Sequence, residues 1–273
     1  MRLSFHTTYL MLLLTLCSSC SGKGRGATDY LNEAQTAYNN GNYSVAKLKI
    51  DSIQLLFPKA FDDINSGITL MQEVRMAENL RNIAYCDSSL SENYKKLNEM
   101  ISEFDYVRDD RYQEFGEYYP KVFPHSSSMD RNGIRSGVRE RGTLFIESIL
   151  SGASIKHNKI RATSTDGSYA ETFEVTSDGL NYTFNTLDKS YEIVRFIGND
   201  ENNLAQYIYS YNNEPITIHF IGNRTITTTL TNAAKSGVSK SFELSTLLLD
   251  IERLKFEKEK SEALIRYLES RRD

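Results

Sequence analysis

The sequence predicts an α+β protein: a helical hairpin and a long antiparallel coiled-coil-like stalk, with an antiparallel β-sandwich or barrel domain inserted between the stalk helices. Three observations predict it. Apolar residues recur at helical spacing over 27–57, heptads run from Met76 to Phe104 and from Leu244 to Leu268, and about eight or nine short strand patterns separate the two heptads. The 273 residues are 40% hydrophobic and 25% charged, with 4 Pro and 15 Gly, which is ample for one large or two small domains and excludes collagen-like or Pro-rich architecture. A net charge of −4, with no Lys/Arg cluster on an aromatic background, gives no electrostatic basis for a nucleic-acid partner.

Residues 1–19 open with Arg2 and continue into Tyr9-Leu10-Met11-Leu12-Leu13-Leu14-Thr15-Leu16, a signal-peptide core too short to span a bilayer. The run ends in Cys17-Ser18-Ser19-Cys20, which resembles the bacterial lipoprotein signal. That resemblance implies cleavage before Cys20, a covalent lipid on its sulfur and a membrane partner through that anchor; the alternative is an ordinary secreted protein. No Asp follows Cys20, and no acidic run follows it either, so the same resemblance implies the outer membrane and its periplasmic face. Residues 20–26 form a Gly-rich tether. Cys86 is then the sole free thiol, expected to be a small buried apolar residue.

Over 27–58, Tyr30, Ala34, Gly41, Tyr43, Ala46 and Pro58 resemble the pattern of a single tetratricopeptide repeat. Small Ala34 and Ala46 let two helices approach, Gly41 turns the chain and Pro58 ends the second helix. Glu33 stands where the repeat wants Leu, and no second copy follows, so the hairpin is read as a docking cap on the next helix rather than a peptide-binding groove. Residues 59–106 read as one long heptad helix, and 240–271 as a C-terminal heptad helix pairing with 76–104; each seam would equally serve a second chain. Residues 107–132 form an aromatic-rich junction and 133–235 the β domain, with strands expected near 134–138, 143–147, 159–164, 171–176, 181–185, 191–197, 204–211, 216–221 and 224–230. Phe173, Val175, Tyr182, Phe184, Ile226 and Leu230 are expected to face inward. The order of these parts, together with Asn40-Gly41-Asn42-Tyr43, Phe57-Pro58-Lys59-Ala60 and Gly133-Ile134-Arg135-Ser136-Gly137-Val138, resembles lipoproteins of gut Bacteroides-type bacteria, a likeness that implies no particular activity.

Local motifs for chemistry are missing. His125, His157 and His219 have no ligand-spaced partners, the Asp62-Asp63-Ile64-Asn65-Ser66-Gly67 stretch has Ile64 where a calcium loop needs oxygen, and Asp200-Glu201 reads as a solvated turn. No metal and no cofactor other than the lipid on Cys20 is expected. Ser44-Val45-Ala46-Lys47 spells Ser-x-x-Lys but has no Lys-Thr-Gly companion, and no Gly-x-Ser-x-Gly or phosphate-loop pattern occurs, so no catalytic residue is named. The most distinctive patch is Tyr112, Phe115, Tyr118, Tyr119 and Phe123, beside Tyr106. Such rings wedge one domain against another, anchor a protein, or stack on sugars. The expectation is a non-enzymatic envelope lipoprotein acting as a scaffold for an envelope protein partner. The alternative is a glycan-binding lipoprotein using the patch at 106–123, and an enzyme assembled from residues distant in sequence stays open.

Overall fold

A computed structural model of the chain describes residues 26–111, 113–123, 131–176, 181–186 and 189–271. The signal peptide 1–19, Cys20 and Tyr112 lie outside the described residues. No helix within them is long and apolar enough to cross a membrane. The chain divides into a helical unit, formed by residues up to Asn82 and from Ser261 onward, and a second unit from Ile83 to Lys260.

In the helical unit, α1 (Ala27–Asn39) and α2 (Tyr43–Leu56) form the hairpin. Asp29 starts α1 by accepting the Gly26 amide at 2.9 Å, and Gly41, at φ +71°, makes the turn that any side chain would strain. Ala34 and Ala46 are fully buried where the helices meet, and they pack with Ile50 against Leu70 and Val74 of α3 (Phe61–Met100). A larger residue at Ala46 would overpack this contact at a cost of about 1–3 kcal/mol. Glu33, the departure from the repeat pattern, pairs with Lys49 at 2.5 Å, and Lys47 pairs with Glu78 of α3 at 2.7 Å. The latter pair commits the amine of the Ser-x-x-Lys spelling.

In the second unit the remainder of α3 runs antiparallel to α5 (Asn232–Glu269). Asn93 donates to Asp250 at 2.8 Å, Lys258 reaches Asp87 at 2.6 Å, and Leu97 and Met100 pack with Leu244 and Leu248. In this unit, therefore, the heptad seams meet within one chain. Cys86 is a buried free thiol. The heptad pattern does not persist to Tyr106: the chain leaves α3 at Met100, takes one 3-10 turn at Ile101–Glu103 and becomes strand β1 (Phe104–Val107). Pairing with β2 (Glu117–Pro120), with Phe104 opposite Pro120, outweighs local helix preference there.

Among the described residues, ten strands form two antiparallel sheets. One holds β1 and β2 together with β3 (Gly133–Arg139), β4 (Leu144–Ser151), β8 (Ser190–Ile197) and β7 (Tyr182–Asn185), in the order β1-β2-β3-β4-β8-β7. The other runs β10 (Thr225–Thr229), β9 (Thr217–Ile221), β5 (Lys159–Thr163), β6 (Tyr169–Glu171). Ile146, Leu150 and Phe196 of the first sheet and Ile160, Ile218 and Phe220 of the second share one core, which the start of α5 closes with Leu230, Ala234 and Val238. The inserted module is thus sandwich-like, and the protein is α+β.

Three expectations are corrected. Residues 204–211 do not form a strand but α4 (Leu204–Ser210), with Leu204, Ala205 and Ile208 buried at helical spacing. The run is too short to separate the two periods, and Glu201 starts the helix by accepting the amides of Asn203 (3.2 Å) and Ala205 (2.9 Å). Tyr182 and Phe184 are exposed, not inward, because their register opposite Ile193 and Tyr191 places them on the sheet face away from the shared core. The strand expected at 171–176 does not form: β6 ends at Glu171, Phe173 beyond it is exposed, and Val175 and Ile226 pack against the core.

Candidate functional site

The sandwich interior holds a constellation that no local motif announces. Ser148 sits on β4 with Ile146 and Leu150 on the inward face, and Glu192 sits on β8 with Val194 and Phe196. The connection after β4 carries His157 between them. Ser148 Oγ lies 2.7 Å from His157 Nε2, and His157 Nδ1 lies 2.8 Å from Glu192 Oε2. An ionised Glu192 accepts, so Nδ1 carries the proton and Nε2 is assigned as acceptor of the Ser148 hydroxyl. Burial holds the imidazole below its ordinary value of 6.5, against the opposing pull of Glu192, which keeps it neutral.

This is the nucleophile–base–orienter order of a serine acyl-transfer enzyme. Access is lacking: Ser148 is 0% exposed, with Ile134 of β3 and Val194 of β8 on either side of it, and the edge of the His157 ring packs on Phe220. A carbonyl has no approach to Oγ, and the local backbone is committed to ladders on both sides rather than to an oxyanion hole. Glu192 instead acts as a strut for the preceding connection, accepting from Ser154 Oγ (2.8 Å), Lys156 N (2.7 Å) and His157 N (3.1 Å) as well as from the ring. These bonds hold Lys156 at φ +54°, a left-handed conformation costly to a non-glycine residue. A cleft of about 310 Å³ reaches His157 and Glu192, but Ser148 is not among its lining residues.

The opposite face of the six-stranded sheet carries a charge ladder. Arg135, Glu147 and Arg195 stand in register on β3, β4 and β8; Arg135 and Glu147 form a buried ion pair, and Arg195 reaches Glu147 at 2.7 Å and Glu117 of β2 at 2.8 Å. Tyr119 donates to Glu117 at 2.7 Å, and the Arg195 guanidinium stacks 4.1 Å from the Phe145 ring centre. Burial raises the Glu147 pKa, but the two guanidiniums outweigh it and hold the carboxyl below its ordinary value. Arg139, at the exposed end of β3, also approaches Glu117 at 3.7 Å, so the buried charges of the ladder are paired with one another rather than left open to a ligand.

The sequence-predicted patch is divided by this architecture. Tyr118 and Tyr119 point to opposite faces of β2, Tyr118 against Tyr106 and Tyr119 into the charge ladder. Phe115 lies under the Arg141 guanidinium at 4.2 Å, and Phe123 packs onto the sandwich core. No single surface unites these four rings. Of the two cation sites weighed, Glu201 is used as the α4 cap, and no cluster of His, Cys, Asp and Glu suited to a metal occurs among the described residues.

The open chemistry of the module is a strand edge. β10, Thr225-Ile226-Thr227-Thr228-Thr229, pairs with β9 and, among the described residues, with no strand on its other side, so alternate backbone N–H and C=O groups face away from the sheet. It is the longest of the four edge strands, and it contains no charge, Pro or bulge to discourage a further strand. By contrast β6, at the other edge of the same sheet, has three residues and carries Glu171, bound by Lys159 and Arg161. Searches of protein-family models, curated proteins and solved structures returned no match to the chain.

Proposed function

We propose that this chain is a non-enzymatic lipoprotein of the bacterial outer membrane, lipidated at Cys20 and facing the periplasm, where it acts as a scaffold for an envelope protein partner. The signal-like sequence at 1–20 supports the location, and the burial of Ser148 argues against that residue as a nucleophile. The observation that carries the scaffold role is the unprotected edge of β10. An extended partner segment would add there as a strand, its backbone supplying affinity. The exposed side chains of β10 are Thr225, Thr227 and Thr229, a row without charge, which matches an uncharged β-branched segment.

The test is photo-cross-linking in intact cells, with the reactive side chain placed at Thr227 or, as a control, at Tyr169 near the opposite edge of the same sheet. One envelope protein captured in near-stoichiometric yield at 227 and not at 169 is the expected result. Adducts only with a second copy would replace the scaffold with self-association through β10, and equal capture at both positions would remove the strand-addition reading.

A further inference from the structure

The two ends of the helical hairpin differ in kind. One is the polar turn Asn39-Asn40-Gly41-Asn42; the other, where α2 passes into α3, leaves Leu55, Leu56 and Phe61 exposed by 80%, 53% and 69%. Three large exposed apolar side chains thus fall within seven residues at this turn, whereas the Asn-rich turn carries none. Pro58 and exposed Lys59 lie between them.

The start of α1 is tied to this same tip. Thr28 Oγ1 donates to the Asp63 carboxylate at 3.2 Å, and the Tyr30 ring lies 5.7 Å from that of Phe57. The chain that leads back from Gly26 to Cys20 therefore departs from the apolar end of the hairpin. Ala27 lies seven positions after Cys20, a reach of about 25 Å when fully extended. A lipid on Cys20 is therefore anchored nearer this end of the hairpin than the Asn-rich end, which lies a further helix length of about 20 Å away.

We propose that the α2–α3 turn is a membrane-contact site, with Leu55, Leu56 and Phe61 entering the interfacial layer of the bilayer that holds the lipid on Cys20. The inference rests on the lipoprotein reading above. Apolar side chains gain by leaving water for the acyl boundary, and the Lys59 stem can follow them while its ammonium stays among the phosphates. Asp62 and Asp63 in the first turn of α3 offset that one cation, so the contact is driven by apolar burial and depends little on anionic lipid. Lipid and turn together make a two-point attachment that orients the helical unit.

The chain contains no Trp, so Phe61→Trp supplies a single reporter. The protein from residue 20 onward is held through an N-terminal His tag on phosphatidylethanolamine–phosphatidylcholine vesicles containing a nickel-chelating lipid and brominated acyl chains. The Phe61→Trp emission is expected to shift to the blue and to be quenched, whereas Asn40→Trp, at the polar end of the same hairpin, is quenched less. Adding Leu55→Ser and Leu56→Ser, both at exposed positions, should weaken vesicle partition of the untagged protein roughly tenfold. Emission of Phe61→Trp that is unchanged by vesicles, or quenched no more than that of Asn40→Trp, overturns the contact site. Palmitate labelling in cells, with Cys20→Ser as control, is read separately: absence of label overturns the lipoprotein reading on which the inference rests, whatever the quenching.

Discussion

Glu192 shows at residue scale how a polar triad serves structure. It holds His157 through both ring and backbone and stabilises a connection that includes the strained Lys156. Glu192→Ala would leave buried donors unpaired and is expected to cost about 3–5 kcal/mol, read by denaturant unfolding. Ser148→Ala removes one bond and should cost about 1–2 kcal/mol. Ser148 itself should remain unlabelled by a fluorophosphonate probe, as read by intact mass. The pH dependence follows from the imidazole. The folded-state pKa of His157 lies below 6.5, so the unfolded chain binds the proton more readily, and the stability this provides is complete above that value and lost as pH falls towards the folded pKa. Glu192 is also held low, by its hydrogen bonds against the effect of burial, and its contribution is lost at still lower pH, below its ordinary 4.5. His219, lowered by burial and Arg161, acts in the same sense as His157. The melting temperature should therefore fall from pH 7 to pH 5, and His157→Gln should flatten that fall by up to about 1.4 kcal/mol per pH unit.

Among the elements, packing decides where local pattern is ambiguous. The alternation in Leu204-Ala205-Gln206-Tyr207-Ile208 resembles a strand, yet Leu204, Ala205 and Ile208 fill the sandwich core only as a helix. β3 is constrained at Gly137, where an added Cβ would lie 2.4 Å from the Phe145 ring and 2.8 Å from the Tyr118 carbonyl. Gly137→Ala should destabilise by about 1–3 kcal/mol, visible as a lower denaturant midpoint with unchanged slope. At β10 the opposite holds: Thr227→Lys falls on an exposed position and should change stability by less than about 0.5 kcal/mol, while reducing partner capture through the added edge charge. The hairpin and the strands flanking Arg139–Gly142 were legible because their periods and turn residues lie within a few positions of one another. The fate of the aromatic patch was not, because Tyr118 and Tyr119 acquire opposite environments only when β2 enters a sheet.

For the whole molecule, the lipoprotein reading predicts that Cys20→Ser moves the protein from the membrane to the soluble fraction of fractionated cells. The sequence by itself determined the α+β class, the hairpin, the heptad-bearing helices and the β insertion, because helical and strand periods are written in neighbouring residues. A signal was also visible in retrospect for the polar interior: Arg135, Glu147, Glu192 and Arg195 interrupt strands that are otherwise apolar. Tertiary structure alone decided what those charges meet. The sequence separations of 35 between His157 and Glu192, and of 48 between Glu147 and Arg195, are closed by sheet register, a non-local quantity that local periodicity does not encode. Only the fold, likewise, placed the start of α1 beside an apolar turn and left β10 at the edge of its sheet, paired with β9 alone among the described strands, since edges and ends exist only once the other strands and helices have chosen their partners.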